Sequence, residues 1–433
     1  MNVPLPILGW CRTAVVPRHG AFRHHQPHTL AAPLAQQLLQ QAGLPAHAVD
    51  ALVLGNALGA GGNPARLSAL AAGLPQATAT FSIDSQCCAG LDAIQLAAAL
   101  LASGQADIVL AGGSEAWSRA PIRQHRPTAP GQPARPYERP AFAPDPADDP
   151  EPAQAAAACA ARQGWQRSRQ DDYARLSHQR AVDAGPLLHD EILPLDGVQA
   201  DAYPRRLSPA LLRRMPVLVS ARDRTGADCS ISRLAIAPEA DGAALILMAS
   251  PRACRQRHLR PLAHWLGSVQ RGGHPRQPMR CALSAVQHLL AQHGCMPHAL
   301  DTLELHDAFA VQGLDFAQGL GIDPARLNPH GGGLARGHPI GASGAIALVR
   351  VLATLQAQAL PHPKAREPAA RPRQTEGTSG HGQPASRPGP ILDDRPGTGN
   401  ASDSARRTRL GLACIAAAGG LGTAALVSLT APQ

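Results

Sequence analysis

Ala46-His47-Ala48-Val49-Asp50-Ala51-Leu52-Val53-Leu54 aligns without a gap on Pro297-His298-Ala299-Leu300-Asp301-Thr302-Leu303-Glu304-Leu305, at an offset of 297 − 46 = 251. Gly43 falls on Gly294 and Gly90 on Gly341 in the same register. Polar positions match as well as apolar ones, which sets the repeat apart from chance similarity in an Ala/Leu-rich chain. A duplicated half that cannot close its own sheet buries its apolar face against its twin, and groups on equivalent turns then meet near the pseudo-two-fold axis. Cys87 and His338 stand at corresponding positions, since 338 − 87 = 251. The expected core is therefore two-fold, with a thiol and an imidazole brought together at its centre.

The remaining composition is consistent with that picture. With 433 residues and 44% hydrophobic side chains, the chain can build two core-forming halves and an inserted segment. Aromatics make up only 3%, so Ala, Leu, Val and Ile must fill an α/β interior of layers. The formal charge of +9 rests almost wholly on arginine, with Lys364 the single lysine. No arginine run alternates with aromatics and no zinc-finger or RNA-binding signature occurs, so nucleic acid is not expected and a phosphorylated small molecule is the favoured anionic partner. Nine scattered cysteines and no charged-then-apolar leader at Met1 point to a reduced, cytoplasmic setting. The apolar stretch from Leu410 to Ala431 is broken by Gly419, Gly420 and Gly422, which predicts two buried strands rather than a membrane span.

Periodicity places strands at Ala51 to Leu54, Thr80 to Asp84 and Asp107 to Ala111, with helices at Leu30 to Gln41 and Gly90 to Ser103. The predicted organisation is an N-terminal half over 1–116 and an inserted loop domain over 117–229, with one clear helix around Gln170 to Ala184. A strand within 230–250, near Ala240 to Met248, completes the first half. The C-terminal half follows over 251–360, then a Pro/Gly/Arg-rich insertion over 361–409 expected to be disordered, then the final strands over 410–433. Matching Ala111-Gly112-Gly113 to Ala418-Gly419-Gly420 gives an offset of 418 − 111 = 307, so 307 − 251 = 56 residues are expected to have been added.

Cys87 follows a strand and opens an apolar helix through Gln86-Cys87-Cys88-Ala89-Gly90-Leu91. A thiol there meets the positive end of the helix dipole, which favours thiolate; a buried structural cysteine is the alternative. The second notable run is Asn328-Pro329-His330-Gly331-Gly332-Gly333-Leu334-Ala335-Arg336-Gly337-His338-Pro339-Ile340-Gly341-Ala342-Ser343-Gly344. Its glycines imply close backbone approach, and Pro339 keeps His338 extended at a helix start, where the imidazole can act as a base. A phosphate loop is the competing reading, but the spacing fits neither the P-loop nor the dinucleotide fingerprint.

With Arg12-Thr13, Asn63-Pro64-Ala65-Arg66, Cys87, Gly112-Gly113-Ser114-Glu115-Ala116-Trp117-Ser118-Arg119-Ala120-Pro121, His306-Asp307-Ala308-Phe309 and Gly337 to Gly344 in order, the chain resembles the thiolase family over nearly everything except 361–409. The resemblance implies a thiolase-like five-layered αβαβα fold of two pseudo-repeated halves, with coenzyme A and acyl-CoA as substrates and no permanently bound cofactor or metal. It also implies a homodimer or homotetramer and a place in fatty-acid and lipid metabolism. By the same resemblance Cys87 takes the acyl group, His338 deprotonates it, and His306 positions the water or oxyanion at the thioester carbonyl.

Two departures qualify the match. Counting back from Gly419-Gly420-Leu421-Gly422, the family's second cysteine position holds Ala416, and Cys414 lies two residues earlier. In a regular strand that displaces the sulfur by roughly 6 to 7 Å; only a two-residue bulge would return Cys414 to an acid/base role. Ala235 and Ala237 replace an Asn-x-Ser that lies near the pantetheine in the family. Arg213 and Arg214 fall where thiolases contact the phosphates of the adenine nucleotide, although solvated surface charge explains them equally well. The expected activity is acyl transfer through a cysteine thioester to or from CoA. The alternatives are a synthase-like Cys-His-His homologue and a CoA-ester-binding partner subunit without full turnover.

Overall fold

Nine strands in the computed structural model build one mixed sheet, and their order shows the duplication. Residues 3–359 and 408–429 are described, so the expected insertion over 361–409 lies outside the described residues apart from its last two positions. The strands are β1 (Leu5–Arg12), β2 (Ala51–Gly55), β3 (Ala79–Ile83), β4 (Ile108–Ala116), β5 (Ala240–Ala249), β6 (Ala263–Gly272), β7 (Thr302–His306), β8 (Arg409–Ala417) and β9 (Leu421–Leu429). They lie in the order β7-β8-β9-β6-β1-β5-β4-β2-β3, with a short tenth strand, Val16–Pro17, pairing on β5. The two halves meet where Leu5–Ile7 pairs antiparallel with Ala263–Trp265, so the sheet is continuous through three residue pairs.

The five layers appear in the packing. Helix α1 (Pro27–Ala42) covers the outer face of the first half, where Leu34 and Leu38 meet Leu52, Leu110 and Leu245. Helices α2 (Ala89–Ala102) and α7 (Ser343–Ala359) lie between the two halves, with Leu91, Ile94, Ile346 and Leu348 buried against Val109 on one side and Ile415 and Val427 on the other. Each such side chain contributes roughly 1.5–3 kcal/mol by leaving water. Helices α5 (Cys281–Gln292) and α6 (Ala310–Leu320) close the far face over Leu303, Leu305 and Leu412. The helix Ile340–Ala359 is long and apolar enough to cross a membrane, but it is this buried central element. Within the apolar stretch that begins at Leu410, the described residues form β8 and β9, as its glycines predicted.

The inserted segment carries two long helices where one clear helix was expected, besides short ones. Besides α4 (Arg167–Asp183), the Ala-rich run forms α3 (Pro152–Gln163), bounded by Pro152 in its first turn and Gly164 in a left-handed cap at φ 73°. Ile231–Ser232 pairs with Val217–Val219 in a separate small sheet, and β5 begins at Ala240, where the strand completing the first half was expected.

The sequence register of the repeat holds for β2 and β7 but not beyond them. Val53 lies beside Ala111, and its equivalent, Glu304, lies beside Ala413, so the offset there is 413 − 111 = 302. That replaces the expected 307: Ala418-Gly419-Gly420 is the turn after the strand, and shared small residues misled the alignment. The single-turn helices that start α2 and α7 are Gln86–Cys88 and Ile340–Ala342, which makes Gly341, not His338, the positional equivalent of Cys87. A Cβ on Gly90 would lie 2.7 Å from the Gly341 carbonyl oxygen, and one on Gly113 only 2.0 Å away. Glycine at both positions lets the two turns touch.

Candidate active site

Cys87 and His338 do meet. Cys87 Sγ lies 3.1 Å from His338 Nε2, at the wall of a cavity of about 500 Å³. Gln86, just before the nucleophile, adopts φ 58°, a left-handed conformation uncommon for a residue with a side chain, and this turn aims Cys87 at the cavity. His338 is held by its own backbone, whose N–H donates to Pro238 O at 2.7 Å. Its ring is fixed by Ser343: the hydroxyl donates to Pro339 O at 2.9 Å, and the same oxygen stands 2.8 Å from His338 Nδ1. Because the hydroxyl proton is committed to Pro339, Nδ1 carries the hydrogen and Nε2 presents its lone pair to the thiol. Ser343 is inside the motif run, yet only its hydrogen bonds disclose this role.

The thiolate expected from the helix dipole is not the resting state. Burial pushes the Cys87 thiol up to about 12, and the backbone N–H of Ala418 opposes it only partly. Burial also pushes the His338 imidazole down to about 4. The pair is therefore a neutral thiol facing a neutral imidazole, an arrangement in which Nε2 can accept the thiol proton. Cys87 lies in the first turn of a helix that continues through Ala102, but desolvation outweighs the dipole there.

His306 completes the trio. Its ring stacks on that of His338 at 4.5 Å between centroids and 28° between planes. Its Nε2 is buried and has no hydrogen-bond partner among the described residues, the condition for holding a water or a developing oxyanion. Burial, then His338 and Arg336, keep it well below the ordinary imidazole range. The glycine-rich run wraps it closely, since a Cβ on Gly333 would lie 2.6 Å from His306 Cε1. Asp307 locks the wrap, accepting from Tyr173 Oη at 2.9 Å and from the Leu334 N–H at 3.3 Å. Fully buried, Glu115 accepts from Asn56 Nδ2 at 2.8 Å, Ala57 N–H at 2.9 Å and Gly341 N–H at 3.0 Å, tying the loop of one half to the turn of the other.

Cys414 is not brought into the site. Strand β8 pairs regularly with β7 and β9, without a bulge, through Leu305↔Cys414↔Ala424. The sulfur is buried in the outer core with Leu303 and Leu412, and burial holds its thiol far above the ordinary range. Ala416 does line the cavity, so Cys87 is the one thiol on the described wall. Ala237 also lines it, with Ala235 buried beneath. Arg213 and Arg214 stand exposed at the end of the short helix Pro209–Arg214, outside the cavity wall. The wall's own arginines are Arg18, Arg123 and Arg139; Arg18 pairs with Glu239, and Arg139 with Asp149 and Glu151.

The thiolase N-terminal domain matches residues 6–210 and the thiolase C-terminal domain residues 259–361. YhfS of Bacillus subtilis is 36% identical over 346 residues, covering 78% of this chain and 88% of its own. An acetyl-CoA acetyltransferase of Pseudomonas aeruginosa is 32% identical over 365 residues, covering 80% and 91%. In fold, the chain is similar to the Acat5 thiolase of Ascaris suum in complex with coenzyme A, with TM-score 0.78, 24% identity, and 99% and 100% coverage. The acetyl-CoA acetyltransferase of Bacillus anthracis gives TM-score 0.79 at the same identity and coverage. With both domains matched in order, and a cysteine, two histidines and their glycine-rich frame assembled at one cavity, this chain belongs to the thiolase family.

Proposed function

We propose that the protein is an acyl-CoA acyltransferase of thiolase type, which carries the acyl group as a thioester on Cys87. The observation that supports this most is the 3.1 Å contact between Cys87 Sγ and the unprotonated Nε2 of His338. In the thiolytic direction the Cys87 proton passes to Nε2, and sulfur attacks the 3-keto carbonyl of a 3-ketoacyl-CoA. The C2–C3 bond breaks, and the two-carbon enolate takes the proton from His338 to leave as acetyl-CoA. The CoA thiol then loses its proton to His338 and attacks the acyl-cysteine, releasing the shortened acyl-CoA. Cys87 leaves as thiolate and recovers the proton from His338. The proton account closes through one imidazole, so the cycle does not require a second thiol at Ala416.

Coenzyme A is the substrate this reading needs, and the Ascaris relative is a coenzyme A complex. The cavity takes the pantetheine arm and acyl group, while Arg213 and Arg214, exposed beyond its wall, are the proposed contacts for the nucleotide phosphates. Nine unpaired cysteines support a reducing, cytoplasmic setting. The exposed edge strand β3, with Phe81 on it, supports a homo-oligomer. Such chemistry belongs to fatty-acid and lipid metabolism.

The test is consumption of acetoacetyl-CoA with added CoA. Turnover with release of acetyl-CoA is expected. Cys87 acylation with no second half-reaction, repaired by Ala416→Cys, would instead establish the reading without full turnover.

A further inference from the structure

We infer that Glu304 and Arg336 are a positioning pair for the two histidines, in which the Glu304 carboxylate cancels the charge of Arg336 beside His306 and so preserves His338 as a proton acceptor. The inference rests on the assignment of Cys87 and His338 as the reacting pair.

Strand β7 sets the arrangement. With its period of two, Thr302, Glu304 and His306 share one face, opposite Leu303 and Leu305 in the outer core. Glu304 is fully buried, and neither carboxylate oxygen has a hydrogen-bond partner among the described residues. Its one ion contact there is Arg336 Nη2 at 3.6 Å. Glu304 lies two residues before His306, and Arg336 two before His338, so the pair spans the two segments that carry the stacked rings.

The other buried guanidiniums already have counter-ions. Arg12 is held by Glu191 and Asp201, each at 2.6 Å, and Arg350 by Glu191 at 2.5 Å. Arg336 otherwise donates to the neutral Gly331 carbonyl at 2.5 Å. Three buried arginines thus face two engaged carboxylates, and Glu304 supplies the third. A buried charge left without its partner is costly, and its field reaches the neighbouring groups.

Glu304 can change state. Burial raises its carboxyl to about 7; Arg336 and Arg350 draw it down, while Glu191 and Asp307 push it up. Tyr173 from α4 and Cys414 from β8 also lie in its field, both held neutral by burial. His330, facing Arg350 and Arg336, is pushed down to about 4, chiefly by burial, and stays neutral. Above neutrality Glu304 is a carboxylate and Arg336 is compensated. Below it, Arg336 keeps only the weaker fields of Asp201, which is engaged by Arg12, and of Asp307; the less compensated guanidinium disfavours a further positive charge on the histidine stack, and His338 accepts the Cys87 proton less readily.

The test follows alkylation of Cys87 by iodoacetamide against pH, with the modified cysteine identified by peptide mapping. This needs no substrate, so it stands apart from whether acyl transfer occurs. Thiolate formation raises the rate with pH in every variant, so each is read as its ratio, at the same pH, to Glu304→Gln with Arg336→Met, which removes both charges. For the wild type this ratio is expected to be about one-tenth at acid pH and to rise to about one through neutrality, the effect of one unit in the basicity of His338. Glu304→Gln should match the wild type at acid pH and keep the low ratio throughout. The inference is overturned if the ratio for Glu304→Gln rises like that of the wild type, if Glu304→Gln is slower than the wild type at every pH, or if it is as fast as the double variant. Should Glu304→Gln fail to fold, Arg336→Met decides: a rate about ten times the wild type's at acid pH that falls to about the wild type's above neutrality supports the pairing, and a constant ratio overturns it.

Discussion

The two halves reach their helix-start turns by routes of different length. In the first half Thr80 pairs with Leu52 and the chain reaches Cys87 in 87 − 80 = 7 residues. In the second, Leu327 bridges Leu303 and the chain reaches Gly341 in 341 − 327 = 14. The strand that would match β3 is reduced to that one bridge, and the longer path carries the glycine-rich wrap and His338. One unit thus delivers a thiol from its turn, while its twin delivers an imidazole from the added loop. The asymmetry of the site comes from a lengthened connection more than from exchanged side chains at equivalent positions.

The sharpest way to break this comparison is to remove what each route delivers. Cys87→Ala is expected to lower turnover by about 10⁴-fold or more and to abolish the covalent adduct, measured by acetoacetyl-CoA consumption and mass. His338→Ala should cost about 10³-fold in the rate of Cys87 acylation, since the thiol then has no acceptor for its proton. His306→Ala should cost about 10²-fold in kcat/KM, the usual effect of losing one oxyanion donor. Ser343→Ala frees the tautomer of His338 and should cost about tenfold, with KM little changed. Cys414→Ala is the smallest change: turnover within about twofold of wild type and roughly 1 kcal/mol of stability lost in a denaturant titration. A large loss of turnover there would return the sulfur to the chemistry.

pH separates the two routes in another way. His338 is depressed to about 4, so its neutral form persists from neutrality down to that value, and beyond the roughly tenfold decline linked to Glu304, acylation is abolished by protonation of His338 as pH falls through it. The same depression weakens folding as pH drops below the ordinary imidazole value, because the unfolded chain then binds a proton that the folded chain refuses. Melting temperature should decline over that interval, and His338→Gln should flatten the decline.

The strands and the reacting pair were legible because β2 and β7 kept polar and apolar positions in step, and because the residues around Cys87 and His338 are restrictive in kind. The exact equivalence of the turns was not legible, since the added loop shifts the register between β7 and α7 while leaving glycines to align by chance. Helix α3 was obscured by its alanines, which carry little periodicity. The thiol's resting state was misjudged because a local dipole can be read from sequence, whereas burial by β8 and the loop domain depends on distant segments. Ser343, Glu304 and Arg336 were visible as letters, but their roles follow from partners that lie far off in sequence or depend on side-chain direction.

The central claim is tested most directly by intact-protein mass spectrometry after mixing wild type, Cys87→Ala and His338→Ala with acetoacetyl-CoA, with the adduct mapped to its residue. One acetyl group on Cys87 in the wild type, none in Cys87→Ala and slow formation in His338→Ala is the predicted result. An adduct that persists in Cys87→Ala, or forms at the wild-type rate in His338→Ala, would contradict it.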